Sequence, residues 1–403
     1  MLSVDEARAR ILSAFETLAA EDVSLDRALG RILAADVAAR RTQPPTPVSA
    51  MDGYAVLAAD IAKVPVTLKV VGDAPAGGAY GGTLTSGQAV RILTGGPVPA
   101  GADTVVIQED TDRDGAKLVI KDATKFGANV RGKGIDFKEG DVLLHKGKRL
   151  TARDIGLAAA MNHPWLAVTR KPRVAVLATG DEIVRAGDPI GPNQIVSSNG
   201  PALKAMVAAL GGEAIDLGIA RDDEDSIRVL SRGAKGADLL LTTGGVSVGD
   251  RDLVQKVLGA EGLTVDFWKI AMKPGKPLMF GKLGDTPMLG LPGNPVSALV
   301  CFVIYVKPAL GKLLGLANDD GVSPERARLG ADLGANNFRE DFIRAKLTRN
   351  DAGEMVATPF SVQDSSMMAT FARSDCLIRR APDAPAAKAG EWSPIVPLTG
   401  AGI

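Results

Sequence analysis

From Pro172 onward the chain repeats one unit: an apolar, β-branched run, a turn built on glycine or aspartate, then an amphipathic stretch. No other feature of its 403 residues constrains the fold as much. Arg173 to Ala178, Ala214 to Ile219 and Asp238 to Thr242 read as strands. Helices are predicted from near Asn199 to Gly211-Gly212 with Pro201 in the first turn, from about Glu224, and from about Asp252 to Leu258. Such alternation builds a mostly parallel sheet with helices on both faces, and ligands bind outside the carboxyl ends of its strands. The loops near 179, 220, 243, 271 and 291 end or follow strands, so a site is expected there.

The flanking segments have a different texture. Ser3 with Glu6 three residues on is a capping box, and Val4, Ala7, Ile11, Leu12, Phe15 and Leu18 extend a helical pattern over residues 3–20. Pro44, Pro45 and Pro47 mark a linker over residues 40–50, because proline lacks a donor and holds its predecessor extended. Short β-branched runs between turns fill 51–145, residues 151–163 look helical, and short strands return beyond about 320. The expected domains are 1–40 with 145–171, 41–144, 172–320 and 321–403. The predicted fold is therefore multidomain α/β plus β, with a central doubly wound, mostly parallel α/β domain.

Composition excludes several classes. Lys plus Arg (47) balance Asp plus Glu (47) and aromatics are 4%, so neither a basic field nor stacking platforms favour nucleic acid. The longest apolar run, Val296 to Val306, falls short of the roughly 20 residues that span a bilayer, and Met1 to Glu6 holds no apolar signal core. A soluble, cytoplasmic protein without membrane contact is expected. Cys301 and Cys376 sit in apolar runs and are expected as buried, reduced thiols. His145 and His163 have neither metal-ligand spacing nor a setting suited to a catalytic triad.

Chemistry concentrates between Leu239 and Ser297. Thr242 to Asp250 carries Gly244-Gly245 and leads from a strand into a helix, a geometry that seats anions on free N–H groups. A tight turn with no ligand has the same composition. Leu291 to Ser297 offers a second helix start, with Asn294 as N-cap and Pro295 in the first turn. Between them, Phe267 to Gly284 holds four lysines and no carboxylate. Pro274 and Pro277 prevent Lys269, Lys273 and Lys276 from forming one helical face, so they belong to a strand end and a stiff loop. A charge pair at about 4 Å is worth about 4 kcal/mol at an effective dielectric of 20, so lysines would dominate anion binding. Asp181, Glu182, Asp222, Asp223, Asp250 and Asp252 fall on the same loops. Acids beside phosphate seats suggest Mg²⁺, although each alone also suits a cap or turn. Gly127 to Gly134 nearly matches a phosphate-binding loop, but the hydroxyl residue after Lys133 and the following helix are missing.

Six segments taken together closely resemble the molybdopterin molybdenumtransferase family: Met51-Asp52-Gly53-Tyr54-Ala55, Thr94-Gly95-Gly96-Pro97-Val98-Pro99, Thr179-Gly180-Asp181-Glu182, Gly244-Gly245-Val246-Ser247-Val248-Gly249, Lys273-Pro274-Gly275-Lys276-Pro277 and Leu291-Pro292-Gly293-Asn294-Pro295. The resemblance runs in order over nearly the whole chain. It implies insertion of molybdate into adenylylated molybdopterin with release of AMP, the last step of molybdenum cofactor synthesis, with Mg²⁺ required. It also implies an elongated homodimer whose cleft draws on both subunits, an elongated helical and extended N-terminal domain with a dimerisation role, and a C-terminal β-barrel-like domain. Transient contact with the upstream adenylyltransferase fits the same scheme.

Carried over residue by residue, the resemblance implies catalytic roles for Asp52, Thr94, Asp136, Glu182, Lys269 and Lys273. It places Asp222, Gly244, Gly245, Ser247, Lys276, Pro292, Pro295, Arg344 and Ser365 against the substrate, and assigns Mg²⁺ to Asp252 and Asp250 with Glu182. The match weakens around Ser374 to Arg380, and with it the assignments of Arg344 and Ser365. Two other readings use the same module: adenylylation of molybdopterin by ATP, for which residues 41–144 and 321–403 would be superfluous, and a non-catalytic scaffold.

Overall fold

The computed structural model of the protein describes residues 1–75, 77–245, 253–317 and 325–398. At its centre lies a six-stranded sheet. Its strands are β1 (Arg173–Thr179), β2 (Glu213–Ala220), β3 (Leu239–Thr243), β4 (Leu263–Lys269), β5 (Pro277–Leu283) and β6 (Thr286–Leu291). They lie in the order β2-β1-β3-β6-β5-β4. Strands β2, β1, β3 and β6 run parallel, β5 runs against β6, and β4 against β5.

Alternation of side chains along β1 and β3 explains their unbroken apolar runs. Val174, Val176, Leu239 and Leu241 enter one core with helix α1 (Asn199–Ala209). Ala175, Leu177 and Leu240 enter a second core with helices α2 (Glu224–Ser231) and α3 (Leu253–Ala260). A strand buried on both faces has no polar side to show. Chain order reverses between β1 and β3, which opens a crevice at their carboxyl ends.

Helix α4 (Pro295–Cys301) continues through a π turn, Phe302–Val306, into a further helical segment, Lys307–Leu314. The widened turn precedes Pro308, whose ring would clash with the carbonyl four residues back in a regular helix. The composite helix runs past its apolar stretch to Leu314, the end expected from its start at Asn294 and Pro295. It is the one helix among the described residues long and apolar enough to cross a membrane, yet 89% of its most apolar 18-residue stretch is buried in the protein. It forms the floor of the first core.

The capping box at Ser3 and Glu6 is present, but the first helix stops at Ser13. It packs into the first core through Val4, Ala7 and Ile11, with Phe15 just beyond it, rather than into the neighbouring N-terminal unit. That unit joins Ala20–Ser24 to Trp165–Thr169 and Val37–Ala38 to Val142–Leu144, over a core containing Val23, Leu33, Phe137 and Leu166. Two adjacent crossings, Gln43 with Phe137 and Val48–Ser49 with Val130–Arg131, lead into a second six-stranded sheet formed by segments between Gly53 and Ile120. At the C-terminus, Glu325–Leu329, Glu340–Arg349, Met355–Pro359, Cys376–Arg380 and Trp392–Pro397 close into a five-stranded barrel. Met272–Lys273, between β4 and β5, pairs with the barrel's Glu340–Asp341. The protein is thus multidomain α/β plus β.

Candidate active site

The register aligns the ends of the central strands. Thr179 lies opposite Ala220, Ala178 opposite Thr243, Thr243 opposite Leu291, and Lys269 opposite Pro277. Since β4 points the same way as β1, β3 and β6, both glycine turns, the acidic loops and the lysine segment meet at one sheet edge. Three strand spacings separate β3 from β4, so Gly244 and Lys269 are about 14 Å apart along that edge. This is room for an extended ligand, not a single ion.

At the crevice, three segments are tied by side chains. Asn199 Nδ2 donates to Thr243 Oγ1 and to the Gly293 carbonyl, both at 2.8 Å. The Thr243 hydroxyl donates to the Pro292 carbonyl at 3.1 Å. Gly244 has φ +86°, and a Cβ there would stand 2.2 Å from the Thr179 carbonyl, so only glycine lets the two strand ends approach. A cavity of about 60 Å³ remains between Thr179, Glu182, Asn199, Thr243, Gly244 and Gly293. The buried Thr179 hydroxyl has no hydrogen-bond partner, a donor available to a ligand. The sequence marked Asn199 only as a helix start; its hydrogen-bonding capacity at a switch point was the available signal.

Among the described residues, Asp181, Glu182 and Asp222 bring carboxylates to the crevice. The backbone N–H of Asp222 donates to Asp181 Oδ1 at 3.2 Å. Burial, aided by the charges of Asp181 and Glu182, raises the Asp222 carboxyl above its ordinary value. The Glu182 carboxylate folds over Gly180, where a Cβ would stand 2.5 Å from it. Crowded carboxylates of this kind suit Mg²⁺, which needs one or two protein carboxylates beside substrate phosphates. Among the described residues, no three potential ligands converge tightly enough to chelate a metal by themselves. Ser247, Asp250 and Asp252 lie outside the described residues.

The lysine segment is held on three sides. Leu2 donates to the Lys269 carbonyl at 3.3 Å and accepts from Ala271 at 2.8 Å. Glu340 donates to the Ala271 carbonyl at 2.9 Å. Below, Gly275 (φ +107°) lies against helix α4, where a Cβ would meet Cys301 Sγ at 2.5 Å. Lys269 and Lys273 are exposed and Lys276 is half-buried. The buried Cys301 thiol is pushed well above its ordinary value by desolvation, and burial takes the Cys376 thiol to about 12. Both are inert, as their apolar settings suggested.

The C-terminal barrel reaches the second glycine turn. Asn294 occupies the N-cap position of α4 but makes no capping hydrogen bond; its Nδ2 donates instead to Ser365 Oγ at 3.0 Å. Val296 N donates to the Ser365 carbonyl at 3.0 Å. Arg344, expected against the substrate, is 1% exposed. Its guanidinium donates to Gln363 Oε1 and to the Asp364 carbonyl, at 3.1 and 2.7 Å. It is an internal support of the Ser365 loop rather than a free cation, because barrel closure turns it inward.

Asp52, Thr94 and Asp136 stand apart, in the inserted sheet and its linker. Thr94 N and Oγ1 donate to Asp52 Oδ1 at 2.7 and 2.8 Å. The N–H first, then the hydroxyl, holds the Asp52 carboxyl below its ordinary value. Asp136 lines a cleft of about 660 Å³ with Gly95, Arg41 and Arg131, two arginines the sequence had not singled out. Within one chain, and among the described residues, no hydrogen bond joins this group to the crevice.

Comparison with known proteins agrees with this architecture. Residues 2–162 match the MoeA N-terminal region (domain I and II), 175–312 a probable molybdopterin binding domain, and 326–398 the MoeA C-terminal region (domain IV). The chain is 37% identical over 402 residues to the molybdopterin molybdenumtransferase of Haemophilus influenzae, covering 99% of each. It is 40% identical over 335 residues to that of a Nostoc species, covering 81% of this chain and 77% of the other. A crystal structure of the molybdopterin biosynthesis MoeA protein of Pyrococcus horikoshii superposes with a TM-score of 0.86 at 32% identity, covering 99% of this chain and all of that one. With every region matched in order and the crevice, lysine segment and barrel in place, the chain belongs to the MoeA family of molybdopterin molybdenumtransferases.

Proposed function

We propose that the protein inserts molybdate into adenylylated molybdopterin and releases AMP, the last step of molybdenum cofactor synthesis, as a Mg²⁺-dependent cytoplasmic homodimer. One observation carries the reading: glycine turns, carboxylates and lysines share a single sheet edge, spread over about 14 Å. A pterin linked through a diphosphate to adenosine is long and anionic, and fits a site with separated anion seats.

The residues work mainly by positioning and electrostatics. The turns at Gly244-Gly245 and Pro292-Gly293 bring N–H groups and the Thr179 hydroxyl to a phosphate. Glu182 and Asp222 would hold Mg²⁺, with Asp250 and Asp252 as the further candidates; when bound, it neutralises phosphate oxygens. Lys269, Lys273 and Lys276 stabilise the charge that develops as the anhydride opens, and meet the molybdate dianion. Pro295 starts α4 and Ser365 braces it, so both shape the second turn, with Arg344 beneath. Ser247 belongs to the first anion loop. Asp52, held ionised by Thr94, orients molybdate or water, with Asp136 beside it.

The separation of Asp52, Thr94 and Asp136 from the crevice within one chain supports a site completed by the inserted domain of a second copy. Transient contact with the upstream adenylyltransferase belongs to the same proposal. The test combines purified protein, Mg²⁺, molybdate and adenylylated molybdopterin and follows AMP. Molybdate-dependent release is expected; its absence would leave the adenylylating or scaffold readings.

A further inference from the structure

Three strands side by side place Lys273, Asp341 and Arg380 in one row. Lys273 pairs with Asp341 in the parallel register, and Asp341 with Arg380 in the antiparallel one. Side chains directly opposite across neighbouring strands share a face, so the carboxylate stands between two cations. Its Oδ1 is buried with no hydrogen-bond partner, and so is Arg380 Nη1, whose other terminal nitrogen donates to the Pro385 carbonyl. Arg380 is 6% exposed, whereas Lys273 faces solvent at the site.

This arrangement differs from a locked ion pair. Asp341 Oδ1 stays unbonded while the lysine remains free to meet a ligand. Burial raises the Asp341 carboxyl, and the charges opposing that rise are Lys273 first, then Arg339 and Arg380. The carboxylate is thus set in the field of the lysine without gripping it.

We propose that Asp341 sets the charge presented by Lys273, offsetting part of it from the adjacent strand and so limiting how tightly this end of the site holds an oxyanion. The inference rests on the reading of the lysine segment as the molybdate end of the site. A site that must take up molybdate and then surrender it gains from such an offset, because an uncompensated lysine cluster would retain any dianion.

Equilibrium dialysis of molybdate alone against the full-length protein tests this. Asp341→Asn should bind molybdate about three- to tenfold more tightly than the parent at low salt, with the gap narrowing as sodium chloride screens it. In a Lys273→Met background the same substitution should give no gain. Asp341→Glu, which keeps the charge, should match the parent. If the Asn variant does not fold, Asp341→Ser removes the charge in a smaller side chain. Equal dissociation constants for the parent and the neutral variant, an equal gain without Lys273, or no molybdate binding by the parent would overturn the inference. AMP release is not the readout. Tighter binding by Asp341→Asn without AMP release would sink the proposed activity alone, and AMP release with unchanged binding would sink this inference alone.

Discussion

Asn199 shows how much of the crevice hangs on one amide. Its two donated bonds join helix α1, the end of β3 and the second glycine turn, and none of these contacts is local in sequence. Asn199→Ala leaves the Gly293 carbonyl and the Thr243 hydroxyl short of a donor, so a loss of about 1–3 kcal/mol is expected in urea unfolding. Asn199→Asp should cost at least as much, since an ionised carboxylate cannot donate. At the other group, Thr94 depresses the Asp52 pKa. A carboxyl whose folded value lies below its unfolded one contributes fully above the unfolded value and loses that contribution as pH falls through the folded one. Thr94→Val removes the hydroxyl but keeps the N–H, so the Asp52 titration should move to higher pH. Carbon-13 NMR of the carboxyl reads this directly; an unmoved titration would detach Thr94 from the charge of Asp52.

At the scale of elements, the lysine segment depends on the helix beneath it. Gly275→Ala places a methyl 2.5 Å from Cys301 Sγ in a backbone conformation that disfavours a side chain. A loss of about 1–3 kcal/mol in stability is expected, together with weaker binding of molybdate as the loop lifts. Adding Cys301→Ala should recover part of the loss, because it removes the clash but not the strain; no recovery would mean that backbone conformation alone requires the glycine. Strands β1 to β3 and the helices among them were readable in advance because β1 and β3 are apolar on each face and glycine follows the helices, whereas β4 to β6 had not been assigned from the pattern. The loops were readable only in part. Asn294 looks like a cap from its place before Pro295, but Ser365, 71 residues away, takes its side chain. Arg344, placed against the substrate by resemblance, is enclosed when the barrel closes around it. In both cases the side chain's partner is set by which distant segment arrives, and local pattern carries no such information.

At the scale of the whole molecule, the separation of the two residue groups becomes a prediction about assembly. Asp52, Thr94 and Asp136 belong to the inserted sheet and its linker, while Glu182, Asp222 and the lysines lie at the central sheet edge. If each site takes its first group from one copy and its second from another, a defect in either group disables both sites of a pure dimer. A mixed dimer behaves differently. One of its sites collects both defects and the other collects neither, so one intact site survives. Asp52→Asn and Lys269→Met chains, each nearly inactive alone, should therefore regain activity after being unfolded together and refolded. Random pairing makes about half the dimers mixed, each with one working site of two, so recovery should approach about a quarter of the parent's rate of AMP release. A site contained in one chain cannot give this result, because every site would then keep its own single defect. Recovery after joint refolding, but not after simple mixing of stable dimers, would also show that the exchange occurs between chains and not through a diffusing intermediate.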